Sequence, residues 1–404
     1  MRGVVAAILA VLVLGGLYIS QSVDWVLWQR WLEWPDDPGE WSAELYQPSA
    51  PIPGGNAPFF PTAAPDELTI ATAVLEEAAD YARDHNSAAL LVLHRGRLQL
   101  ERYWQGIDSD TLFSVRAMTR SMLGPLVGIA LADGALKSLD EPVANYLTEW
   151  QDDPRGAITI RQLLWNVSGL ESPPLGGGGP FSKNTRIFWG SDFAAGALDF
   201  ELANEPGTFF AISNANAQLL GVILERATGQ PYEVYLNEKL WGPLGAGRAE
   251  LFMDREGGMP SVYCCYRVLP RDWLRLGAAF ASDGVVAGQR LWPEGWLAEL
   301  SRTSSVNPNY GYQLWVGNPP GESRPYVQGS ATGFPHGPPI VAEDVLFFEG
   351  GGYRTLYIIP SEQLVILRLG YPHPDWQTSA LPNILFGGLS RGSDRPDPAP
   401  LTGD

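Results

Sequence analysis

The sequence predicts an α/β protein of the α+β kind, in which one antiparallel sheet is built from both ends of a domain around a helical block. Three observations predict it. Two strand-like runs, 88–94 and 98–104, flank the turn Arg95-Gly96-Arg97. A second strand cluster lies near the end, at 345–348, 355–360 and 364–369. Between the clusters, from Thr111 to about Ala249, apolar residues recur at helical spacing.

The flanking elements follow from local signals. A helix is expected over 66–86, with Asp66 as cap and Leu68, Ala71, Leu75, Ala78, Ala79 and Ala82 as its apolar stripe. A last helix is expected over 379–389, so the domain runs from 66 to 390. The tail 391–404 is rich in Pro, Asp and Ser and is expected to be disordered. Residues 23–65 read as a tryptophan-rich neck and a Pro/Gly tether without a core of its own.

The N-terminus reads as a targeting segment over 1–22. Arg2 precedes an uninterrupted apolar run over 3–19, and Asp24 follows it. The run is near the lower limit for a bilayer-spanning helix, so an uncleaved signal anchor is favoured over a cleaved signal peptide. The positive charge lies before the run, which puts the rest of the chain outside the cytoplasm, in a bacterial cell envelope. Trp25, Trp28, Trp31 and Trp34 recur every three residues beyond it. They suit either the headgroup layer or a seat on the domain.

With 404 residues and 45% hydrophobic content, the chain can bury a large core, and its net charge of −18 argues against a nucleic-acid partner. Four histidines and two adjacent cysteines, Cys264 and Cys265, offer no metal-ligand spacing. No metal or cofactor is expected. The cysteines read as two buried thiols rather than a vicinal disulfide. His336, in a Pro/Gly loop, reads as a surface histidine.

The stretch 113–130 carries the chemical question. Around it stand Leu91-Val92-Leu93-His94-Arg95-Gly96, Leu126-Val127-Gly128-Ile129-Ala130 and Ile158-Thr159-Ile160-Arg161-Gln162-Leu163-Leu164. Val167-Ser168-Gly169-Leu170, Ser213-Asn214, Pro243-Leu244-Gly245, Arg271-Asp272-Trp273 and Tyr310-Gly311-Tyr312 follow in order. Together these resemble the serine β-lactamase-like superfamily of penicillin-binding-type hydrolases, in its branch of class C β-lactamase-related enzymes, esterases and 6-aminohexanoate-dimer hydrolases. The resemblance covers 67–389.

That resemblance implies acyl transfer through a serine at the start of a buried helix, with a lysine one turn later as its base. It also implies a tyrosine from the helical block and a Lys or His before a glycine on the last part of the sheet. Counted back from Gly128, the serine position falls on Ala117 and the lysine position on Arg120. The tyrosine position falls on Ile212, and the strand position on Phe348-Glu349-Gly350 or Glu349-Gly350-Gly351, with no Lys or His in either register. Alanine has no hydroxyl, and arginine stays protonated. The positions three before Lys137, Lys183 and Lys239 are Gly134, Pro180 and Leu236, so no Ser-x-x-Lys exists in the chain.

The expectation is therefore a catalytically degenerate relative that uses the old cleft to bind a ligand or partner. Arg120 would hold a carboxylate of a small or peptide-like ligand, or pair with Glu349. The alternative is an active esterase or amidase with a relocated nucleophile, at Ser121, Ser213 or Ser114, with Glu349 as base. A third reading is a scaffold whose cleft is filled by side chains. Ser121, Ser213, Asn214, Glu349 and Gly350 are the other candidate cleft residues.

Overall fold

The computed structural model describes residues 23–33, 43–173, 179–317, 323–330 and 333–389. The apolar run 3–19, Trp34, the glycine run within 174–178 and the tail 391–404 lie outside the described residues. Among the described residues no helix is long and apolar enough to cross a membrane.

A six-stranded antiparallel sheet carries the domain. Its strands are β2 (Ser87–His94), β3 (Arg97–Tyr103), β9 (Trp315–Val316), β12 (Leu346–Gly350), β13 (Arg354–Ile359) and β14 (Leu364–Gly370), in the order β3-β2-β14-β13-β12-β9. Strand β2 therefore pairs with the last strand, β14, and carries β3 at the sheet edge, joining the two sequence clusters in one sheet as predicted. Every residue of β2 and β14 is buried, because the strands lie mid-sheet with helices on both faces.

Strand alternation divides the apolar residues between two cores. Leu91, Leu93, Val365 and Leu367 face α9 (Pro270–Ala281), where Trp273, Leu276 and Phe280 belong to the same cluster. Gly277 lets this helix close on the sheet, since a Cβ there would stand 2.4 Å from a methyl of Val365. Leu90, Val92, Leu364 and Ile366 face the other way, onto α2 (Thr72–Asp84) and α11 (Ala380–Gly387).

Helix α2 begins later than the 66–86 expected. Residues before it serve other partners: Thr69 bonds Gln99 and His94, and Ile70 bridges Leu389. Asp66 does not cap the helix, whose N-cap is Ala71.

The helical block centres on α3 (Leu123–Ala132) and α7 (Asn214–Thr228), which pack together. Ser213 caps α7 by accepting from the Ala215 amide at 3.2 Å, and left-handed Gly229 ends it. Gly128 receives the Trp296 indole, which a Cβ would meet at 2.4 Å.

The segment read as a tether is laid on the domain. Its strand β1 (Ser49–Ile52) pairs with β5 (Ala249–Phe252), in a four-stranded sheet that also holds β4 (Phe113–Ser114) and β6 (Arg267–Val268). Tyr46 and Ile52 are buried. The tryptophan neck docks as well. Helix α1 (Trp25–Glu33) buries Leu27 and Arg30, and Arg30 donates to the carbonyls of Trp189, Gly190, Gln47, Met253 and Asp254. Five carbonyls around one guanidinium fix the helix more tightly than composition suggests.

Candidate functional site

Between the sheet and the helical block lies a cavity of about 690 Å³, a size that suits a small-molecule ligand. Its wall includes Ala117, Arg120, Ser121, Ile212, Asn214 and Glu349, so the structure gathers most of the residues singled out from sequence. Gly350 stands beside it, and Ser213 precedes Asn214 at the cap of α7.

The expected helix start at Ala117 is a 3₁₀ segment, Arg116–Met122, and the α-helix begins only at Leu123. In a 3₁₀ helix residues three apart eclipse, so Ala117 and Arg120 point the same way, into the cavity. The chain enters through a strained corner, with Arg116 at φ 53°. A non-glycine residue there costs on the order of 1–3 kcal/mol, which the surroundings must offset. They do so from two sides. The Val115 amide donates to Tyr266 O at 3.0 Å, and the Cys265 amide donates to Arg116 O at 3.2 Å. From the sheet, Gly350 passes so close that a Cβ would stand 2.5 Å from Val115 O.

Arg120 is buried, and its Nη2 donates to Asn214 Oδ1 at 2.9 Å. Its Nε and Nη1 have no hydrogen-bond partner among the described residues. Tyr310 is near enough to feel the cation: burial pushes its hydroxyl pKa up to about 12, and Arg120 acts in the opposite direction. That hydroxyl accepts from Asn166 Nδ2 at 3.2 Å.

Glu349 does not pair with Arg120, which corrects one of the two expected partners. It pairs with Arg324, and both side chains are fully buried. The Arg324 guanidinium lies over two neighbouring rings, 4.9 Å from Trp315 and 4.6 Å from Phe347, which holds it against the carboxylate. Its Nη2 also reaches Thr378 Oγ1 at 3.3 Å. Burial raises the pKa of Glu349, with Arg324 and Tyr326 pulling it back. The sequence offered no signal for Arg324, which stands in a three-residue strand, Ser323–Pro325, paired with Gly333–Pro335 and too short to show a strand pattern.

The candidate hydroxyls are already committed or set apart. Ser121 lines the cavity, but its Oγ donates to Gln313 O at 2.8 Å. Ser213 Oγ serves the cap of α7, and Ser114 is fully buried with no partner for its Oγ among the described residues. His336 is also buried rather than on the surface, with neither ring nitrogen hydrogen-bonded among the described residues. Cys264 and Cys265 are joined as a vicinal disulfide, where two thiols were expected, and Cys264 is on the cavity wall. Among the described residues no cluster of His, Cys, Asp and Glu could hold a metal ion.

Aromatic rings make up much of the remaining wall: Trp31 from the neck, and Phe188, Tyr263, Tyr326 and Phe334, which sequence reasoning did not single out. Trp189 and Trp315 line the cavity too, whereas Trp241, Trp273 and Trp292 are buried in the core.

A two-sided sheet, a helical block and a cleft between them define the serine β-lactamase-like class of fold. A penicillin-binding protein homolog from Caulobacter crescentus superposes with a TM-score of 0.60 at 14% identity, over 82% of this chain and all of that one. The Beta-lactamase family model matches residues 72–370, and the chain belongs to that family. Protein flp of Staphylococcus aureus (strain COL) is 28% identical over 168 residues, 39% of this chain and 33% of that protein. The 6-aminohexanoate-dimer hydrolase of Paenarthrobacter ureafaciens is 26% identical over 226 residues, 52% of this chain and 56% of that protein. The chain thus matches a third to just over half of the length of these curated relatives.

Proposed function

We propose that this protein is a catalytically degenerate member of the family, which binds a carboxylate-bearing small or peptide-like ligand in its cleft without cleaving it. The observation that carries this reading is Arg120. It is a buried cation on the wall of an open cavity, with the neutral side chains of Asn214 and Tyr310 beside it and no carboxylate in ion-pair reach among the described residues. A buried charge left without a counter-ion is costly, and an anionic ligand would satisfy it. The aromatic wall would take the apolar body of the same ligand. Ala117, beside Arg120, offers no hydroxyl for an acyl-enzyme.

The other two readings fare worse on geometry. A filled cleft conflicts with a cavity of about 690 Å³. A relocated nucleophile would need Ser121 to leave Gln313 and find a base, and Glu349 is held by Arg324. We further propose that residues 3–19 anchor the chain in a bacterial inner membrane, with the domain on the periplasmic or outer side.

Thermal unfolding with 4-phenylbutyrate as probe tests the binding reading. A ligand at a hundred times its Kd stabilises by about 2.7 kcal/mol. The acid should raise the Tm of the wild type, while 4-phenylbutyramide should not. Arg120→Gln should abolish the response. Equal shifts with acid and amide, or an undiminished shift in Arg120→Gln, would contradict the reading.

A further inference from the structure

The solvent side of α1 carries an apolar stripe beside the exposed pair Gln29 and Glu33, where an ordinary surface helix is polar throughout. Leu27 and Arg30 point into the domain, and Trp31 lines the cavity. On the opposite side Trp25, Trp28 and Leu32, at i, i+3 and i+7, form one stripe. Trp25 is 58% exposed and Leu32 72%. Phe181, which is 78% exposed, extends the stripe, its ring 5.7 Å from that of Trp28. Val26 adds to it from the flank. Of the seven large exposed hydrophobic residues described, four are therefore in this one patch.

We propose that this patch sits in the lipid surface, and that it holds the mouth of the cleft toward the bilayer. Two observations choose lipid as the occupant. The apolar run ends at Ile19, and the chain from there to Trp25 can span only about 20 Å when fully extended. Helix α1 is then kept at the headgroup layer, where tryptophan is favoured. The patch and the cavity also share elements: Trp31 of α1 and Gly179, two residues before Phe181, are both on the cavity wall. A net charge of −18 means that apolar contact drives the seating, so it needs no anionic lipid.

This inference rests on the membrane anchoring proposed above and is independent of what the cleft binds. The test uses the full chain in phosphatidylcholine vesicles, with nitroxide labels at Leu32→Cys, Phe181→Cys and, as control, Val341→Cys. Val341 is 62% exposed and lies next to α11, where its amide donates to Asn383. Collision with oxygen against a water-soluble nickel chelate should place the first two labels in lipid and the third in water. Retention after a carbonate wash reports the anchor separately. Protein retained with all three labels in water would overturn the patch and leave the anchor standing. Protein washed from the vesicles would overturn both. Spin coupling between copies, unchanged by lipid, would assign the patch to self-association and overturn the proposal.

Discussion

At the scale of single residues, the site is governed by how its charges are compensated. Glu349 and Arg324 are fully buried and neutralise each other, whereas Arg120 has only neutral neighbours among the described residues, Asn214 and Tyr310. Removing one member of a buried pair strands the other charge, so Glu349→Ala should cost about 3–5 kcal/mol in urea unfolding. Replacing both, as Glu349→Leu with Arg324→Met, should recover most of that loss, since a well-packed apolar pair is often neutral. A double variant as unstable as the single one would contradict the assignment. The same contrast explains what the sequence could reveal. Ala117, Arg120 and Ile212 were legible because they stand in a counted motif. Arg324 was not, because its role comes from two rings and a carboxylate remote from it in sequence, with Trp315 and Phe347 on different strands.

At the scale of elements, the strained corner at Arg116 depends on the strand that passes beneath it. Gly350→Ala would force a methyl to within 2.5 Å of Val115 O, so strand or corner must give way. Overpacking of this kind costs about 1–3 kcal/mol. It should also weaken the response to 4-phenylbutyrate, because the corner sets the direction of Ala117 and Arg120. A fully stable variant with unchanged binding would show that the corner is held from the Cys265 side alone. Period-two alternation made the sheet and its two cores readable, as Leu90 and Leu91 entering different clusters show. The tether was misread, and the seat of the neck left open, for a physical reason. Pro and Gly mark irregular backbone, but they do not report whether that backbone is covered, and β1 and Arg30 are both covered.

At the scale of the whole molecule, the fold places one further titrating group inside. Burial, with the Arg324 cation nearby, lowers the pKa of His336 from 6.5 to about 4. The unfolded chain therefore binds a proton between these values that the folded chain refuses. Stability from this group is complete above pH 6.5 and is lost as pH falls toward 4. His336→Leu should flatten that part of the urea-midpoint profile, and an identical slope in both proteins would contradict the burial of the ring. The central claim, a family cleft that binds without acyl transfer, is tested most directly by intact-mass measurement after exposure to a fluorophosphonate and to benzylpenicillin. The wild type should gain no mass, while Ala117→Ser combined with Arg120→Lys and Ile212→Tyr should gain a covalent adduct. An adduct on the wild type would contradict the account and place a working nucleophile elsewhere in the cleft.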